Sequence, residues 1–259
     1  MQYKYFAMNS EVVVYASEME FGVKIDQFSS WEKNWEDIQG VALGANWMAV
    51  ANFSEIKFFD LSGNQIKSVC FDRIILEMDA YENLLVVVFH ESIPIDKSQN
   101  LAMQIFSISN YNALPITRCH VPVSPEYILR WFGFSKEGML FSQDTLGVFR
   151  AYSLETNEWT CVTADRNVDP KKMWIVGVKD YQLIYWKTND SDPEPTVRPR
   201  FNLKNSPFAI STLEIECGKP EIEAYPTLLW ERYCLDHERA RWKLWGRHKK
   251  TRSPENVNF

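Results

Sequence analysis

Tyr127 to Val162 reads YILRWFGFSKEGMLFSQDTLGVFRAYSLETNEWTCV, and this stretch decides the fold. It holds four short apolar segments: Ile128 to Phe134, Met139 to Ser142, Val148 to Leu154 and Trp159 to Val162. Lys136-Glu137-Gly138, Asp144 to Gly147 and Glu155 to Asn157 separate them, each a turn signal. Short segments rich in β-branched and aromatic side chains and bounded by Gly, Asn, Asp and Ser are strand signals. In the third segment Val148, Arg150, Tyr152 and Leu154 alternate with Phe149, Ala151 and Ser153, the period of a pleated strand. The stretch predicts one antiparallel four-stranded meander. A lone meander leaves a face bare and does not fold by itself, so the rest of the chain must supply its partners.

The pattern recurs on both sides. Ile38 to Phe71 lays out as IQGVALG, NWMAVANF, IKFFDLSGN and QIKSVCF, matching segment for segment, with a turn at Ser62-Gly63 where Gly tolerates positive φ. Leu76 to Val121 carries ILEMDAYEN from Ile75 on, then LLVVVFHE, LAMQIFSISN and PITRCHV, with an insertion at Ile93 to Asn100. Tyr3 to Trp35 gives YKYFAMN, SEVVVYAS, GVKIDQFSS and a short fourth segment near Trp35. Met173 to Cys217 gives KMWIVGVKD, YQLIYWKTND and FAISTLEIEC around a polar, proline-containing loop at Asp190 to Arg200. Roughly five units with a period of about 35 to 48 residues predict an all-β fold, a β-propeller, rather than a sandwich, which has no reason to repeat one four-segment pattern.

Aromatic residues make up 14% of the chain, ten of them Trp, which suits packing between stacked blades. The longest strongly apolar run, Leu84 to Phe89, is too short to cross a bilayer, so no membrane contact is expected. The start, MQYKYFAMNSE, lacks the apolar core of a secretory signal, which places the chain on the reducing side of the cell. Cys70, Cys119, Cys161, Cys217 and Cys234 are odd in number and without a C-x-x-C pair, and are expected as small core hydrophobes. His90, His120, His237 and His248 show no metal-ligand spacing, and Cys119-His120 on one strand point to opposite faces, so neither a metal, a cofactor nor a thiol site is expected.

After Cys217 the period changes. Residues 1–218 form the predicted propeller, and residues 219–259 a linker, an amphipathic helix and a basic tail. Trp230, Tyr233, Cys234, His237, Leu244 and Trp245 recur near every 3.6 residues between the candidate N-cap Thr227 and the stop Gly246. The net charge is −6, yet Arg239, Arg241, Lys243, Arg247, Lys249, Lys250 and Arg252 cluster in a segment without an acid. The body is therefore acidic and the tail basic. Phosphate affinity needs cation clusters, so these seven residues are the candidate nucleic-acid contacts, weak and independent of sequence.

Three segments go beyond generic propeller texture. Tyr127 to Gly138 (YILRWFGFSKEG), Met173 to Val178 (MWIVGV) and Phe28 to Trp47 (FSSWEKNWEDIQGVALGANW) resemble, in order, the SepB domain of the replisome adaptor family called chromosome transmission fidelity factor four or acidic nucleoplasmic DNA-binding protein. The resemblance implies a nuclear, non-enzymatic hub: a six-bladed propeller that forms a homo-trimer, followed by a helical bundle that holds client peptides. Through these contacts the family couples the replicative helicase, with its GINS component, to DNA polymerase alpha-primase. Measured against it, the chain shows no WD-repeat propeller ahead, about one SepB blade fewer before Tyr3 and little of the bundle after Trp245, as a fragment or a reduced relative would.

Two other classes compete with this reading. One is a protein-interaction propeller of another pathway. The other is a glycan-binding or enzymatic propeller, in which carboxylates such as Asp60, Asp144 and Asp180 would converge at the central channel; their turn-like positions favour ordinary turn chemistry instead.

Overall fold

The computed structural model describes residues 4–25, 29–93, 99–109, 112–163, 173–180, 182–187, 203–207 and 209–210. The predicted helix and basic tail lie outside them. Blade one is β1 (Tyr5–Met8), β2 (Val13–Ala16), β3 (Glu20–Lys24) and β4 (Ser30–Asn34); blade two is β5 (Gly40–Leu43), β6 (Trp47–Ala51), β7 (Glu55–Asp60) and β8 (Gln65–Cys70). Blade three is β9 (Ile75–Tyr81), β10 (Leu84–His90), β11 (Leu101–Ser109) and β12 (Asn112–Val121); blade four is β13 (Leu129–Phe134), β14 (Leu140–Asp144), β15 (Phe149–Ser153) and β16 (Glu158–Thr163). Blade five has β17 (Met173–Lys179), β18 (Gln182–Lys187) and β19 (Leu203–Pro207) among the described residues. Every sheet runs antiparallel in chain order. The first strands β1, β5, β9, β13 and β17 touch one another in series, so they line the axis and the fourth strands form the rim. This is a β-propeller.

Alternation along a strand here sorts side chains between two dry seams rather than between core and water. On β6, Trp47, Ala49 and Ala51 enter the core shared with blade three, while Met48 and Val50 enter the one shared with blade one. On β10, Leu85 and Val87 face blade two, and Val86 and Val88 face blade four. A strand buried on both faces must be apolar at every position, which is why Leu84 to Phe89 is an unbroken run. Each fully buried Val or Leu contributes about 1.5–3 kcal/mol, so a single charge here, Val87→Asp for example, would open a seam. Phe141, Phe149 and Met173 do the same work between blades four and five.

The turns behave as their residues dictate. Gly63 has a φ of 91° and backs onto the Trp31 ring, where a Cβ would lie 3.1 Å from Cε2. Gly138 has a φ of 83°, against Tyr81 of the preceding blade.

Two expectations need correction. The third strand of blade five is not FAISTLEIEC but Leu203–Pro207, which pairs with β18; Ala209–Ile210 (β20) instead adds to the outer edge of β16 in blade four. An edge strand offers unpaired backbone groups to whatever passes. Of the described cysteines, Cys70 and Cys161 are exposed rather than core hydrophobes and Cys119 is half-buried against the core between blades three and four, all with free thiols, because all three sit on rim strands. Cys217 and Cys234 lie outside the described residues.

Candidate functional site

The antiparallel order gives the propeller two unlike ends. Connections from second to third strand, and from one blade's fourth strand to the next blade's first, emerge at one end, the loop end; the remaining tight turns form the other. The seam between blades three and four concentrates polar structure at both the axis and the rim.

At the loop end of this seam stands a buried ion pair. Asp144, the last residue of β14, takes the Arg150 guanidinium on Oδ2 at 2.8 Å, and Oδ2 also accepts the Ser124 hydroxyl at 2.6 Å and its N–H at 3.0 Å. Its Oδ1 accepts the N–H groups of Gly147 and Val148, each at 3.0 Å. Arg150 Nη2 donates to the Ser124 hydroxyl at 3.0 Å, closing a triangle. Burial works against the charged carboxyl, yet Ser124, Arg150 and the backbone donors together hold it below the usual carboxylate range. Every lone pair of Asp144 is in use, so it ties the β12–β13 loop to the β14–β15 turn.

At the axis Asp79 of β9 reaches across to blade four, accepting the Phe134 N–H at 2.7 Å and the Ala80 N–H at 2.8 Å. Burial pushes its carboxyl up to about 6. Glu77, two residues earlier on the same strand face, is raised too, by loss of solvent at the carboxyl first and by the Asp79 charge second, although its side chain as a whole is exposed.

At the rim an open cleft of about 450 Å³ runs between β12 and β16, lined by Cys119, His120, Arg150, Asn157, Trp159 and Cys161 among others. Trp159 Nε1 donates to the His120 carbonyl at 2.9 Å, and the Tyr152 hydroxyl meets Asn157 Oδ1 at 3.0 Å. Burial pushes the Tyr152 hydroxyl up to about 12 and raises the Cys119 thiol, so both stay protonated at neutral pH. The cleft offers shape and hydrogen bonds for binding, and neither Cys119 nor Tyr152 is activated as a nucleophile.

The three carboxylates considered for a convergent centre are each committed to a different blade. Asp60 caps its own turn through the Asn64 N–H at 2.8 Å, Asp144 is bound up as described, and Asp180 lies in the turn after β17 at a φ of 51°. The predicted nucleic-acid contacts Arg239, Arg241, Lys243, Arg247, Lys249, Lys250 and Arg252 lie outside the described residues. Sequence reasoning missed the pairing of Asp144 with Arg150. The signal was there: an Arg at a position of β15 that alternation assigns to a dry seam requires a buried partner.

Residues 1–210 match the family described as minichromosome loss protein, Mcl1, middle region. WD repeat and HMG-box DNA-binding protein 1 of Mus musculus is 26% identical over 239 residues, covering 86% of this chain and 21% of that protein. Protein ENHANCER OF LHP1 1 of Arabidopsis thaliana is 26% identical over 222 residues, covering 77% of this chain and 23% of that protein. The chain thus spans about a fifth of the length of these curated relatives. Among solved structures, the WD40 propeller domain of Doa1 overlaps 80% of this chain and 63% of its own with a TM-score of 0.49 and 12% identity, too loose to inform function. With well over half of its length matched, the chain belongs to the Mcl1 middle-region family.

Proposed function

We propose that this chain is a nuclear, non-enzymatic scaffold of DNA replication, a propeller that couples the replicative helicase, through GINS, to DNA polymerase alpha-primase. The observation that carries the reading is the family match across residues 1–210, joined to relatives whose names describe WD-repeat proteins that bind DNA. In this reading the propeller associates as a homo-trimer, and direct DNA contact is weak and confined to the basic segment from Arg239 to Arg252. The site chemistry supports a binding role, since the buried Asp144 carboxylate is fully paired and burial raises the Cys119 thiol and the Tyr152 hydroxyl at the rim.

Affinity purification of the tagged chain from nuclear extract tests it. Helicase and polymerase alpha subunits should co-purify. Recovery of a coherent set of partners from another pathway, with neither of these present, would overturn the proposal in favour of a different interaction propeller.

A further inference from the structure

The two ends of the propeller differ in chemistry. Of the exposed large apolar residues, Phe53, Ile74, Ile93, Ile128 and Leu146 all stand at the loop end of blades two to four, at 53%, 60%, 83%, 49% and 40% exposure. At the opposite end of these blades the described turns carry Glu82, Lys136, Glu137 and Glu155, and of the large exposed apolar residues Leu154 stands there, so the ends differ in apolar exposure rather than in the sign of their charge. Scattered surface apolar residues need no explanation, but one-sided clustering does.

These loops are also stitched into one surface. The Phe71 N–H donates to the Ser54 carbonyl at 2.8 Å, joining the blade-two turn that carries Phe53 to the connection that carries Ile74. The His90 N–H donates to the Ile74 carbonyl at 3.1 Å, and Gln99 Oε1 accepts the Leu129 N–H at 2.7 Å, crossing from blade three to blade four. The Thr145 N–H donates to the Ile128 carbonyl at 2.9 Å, holding Ile128 beside the turn that carries Leu146. A surface fixed this way loses little conformational entropy when something docks on it. Its charge leans acidic: the described loop-end connections carry Glu18, Glu36, Asp37, Asp72, Glu91 and Glu126 against Lys4 and Arg73, with Glu18 ion-paired to Lys4 and Glu91 to Arg118, which leaves Glu36, Asp37 and Asp72 outside those two pairs. An acidic setting repels a phosphate backbone and attracts cations.

From this combination we infer that the loop end of blades two to four is a docking face for a short amphipathic protein segment whose apolar side chains are flanked by Lys and Arg. The apolar residues supply the buried contact and the acidic ones orient it, so affinity falls with salt without vanishing. The inference rests on the propeller geometry and stands independently of the assignment to replication.

The test uses the full chain and a fluorescent 18-residue peptide of Leu and Lys in helical spacing, with a Glu-for-Lys version and a Ser-for-Leu version as controls, followed by anisotropy. Wild type should bind the Leu/Lys peptide and neither control. Ile74→Ser with Ile93→Ser should weaken binding by about tenfold or more, and Glu36→Lys with Asp72→Lys by several-fold at low salt. Both pairs lie on exposed side chains, and circular dichroism checks that the variants remain folded. Glu82→Lys with Glu137→Lys, at the opposite end, should leave binding unchanged. Equal binding by wild type and the loop-end variants, or equal loss from the opposite-end pair, overturns the inference. So does light scattering in which Ile74→Ser with Ile93→Ser dissociates an oligomer while peptide binding persists, since the face would then serve contact between copies of the chain.

Discussion

The carboxylate of Asp79, on the innermost strand of blade three, accepts the backbone N–H of Phe134, on the innermost strand of blade four, at 2.7 Å. One side chain thus latches two blades at the axis, 55 residues apart in sequence. Gly133 makes the approach possible, since a Cβ there would lie 3.0 Å from Asp79 Oδ2.

This latch makes stability depend on pH in an unusual direction. Between the ordinary 3.8 and the raised value of about 6, the folded protein holds a proton that the unfolded chain has released. The Asp79 contribution to stability therefore falls as pH rises through that window and is level above it, while Glu77, raised to about 7, adds a fall of the same sign that extends higher. Urea midpoints measured across the window should show this slope, and Asp79→Asn should reduce it, leaving the part that Glu77 contributes. An unchanged slope in the variant would remove Asp79 as the cause.

Asp144 acts with the opposite sign. Its folded value is depressed, so its contribution is complete above the ordinary 3.8 and is lost as pH falls through the lower folded value. Asp144→Ala leaves the buried Arg150 guanidinium unpaired, at a cost of about 3–5 kcal/mol at neutral pH, whereas replacing both by apolar residues should recover much of the loss. Denaturant titration of the two single variants and the double variant reads this out, and additive losses would argue against coupling.

Gly138→Ala should destabilise by about 1–3 kcal/mol, because the new Cβ sits at a φ of 83° and 2.5 Å from Tyr81 Cε1. Gly177→Ala is the control: nothing lies within 4 Å of its added Cβ, and its effect should stay below about 1 kcal/mol. Equal thermal shifts for the two variants would refute the packing argument.

Removal of the residues after Gly246, with Arg239, Arg241 and Lys243 changed to Glu, should abolish whatever weak DNA binding the chain has at low salt. Binding that persists in a filter assay would place the contact elsewhere, on a body whose charge disfavours it.

By itself, the sequence determined the repeat, the antiparallel units and the turns at Gly63 and Gly138, because strand period and turn chemistry are local properties written within a few residues. Four of the five units fall on the expected segments. Tertiary structure decided which seam each side chain enters: Val86 and Val87 are equally apolar, and only the neighbouring blade distinguishes them. It also decided that Leu-Lys-Asn-Ser-Pro, with little strand signal of its own, takes the open edge of β18, while Ala209 and Ile210 go to the edge of β16. Asp79 and Asp144 found their partners in the same way. Such contacts form between segments brought together by blade stacking, and no local pattern in the chain records which edge or seam lies within reach.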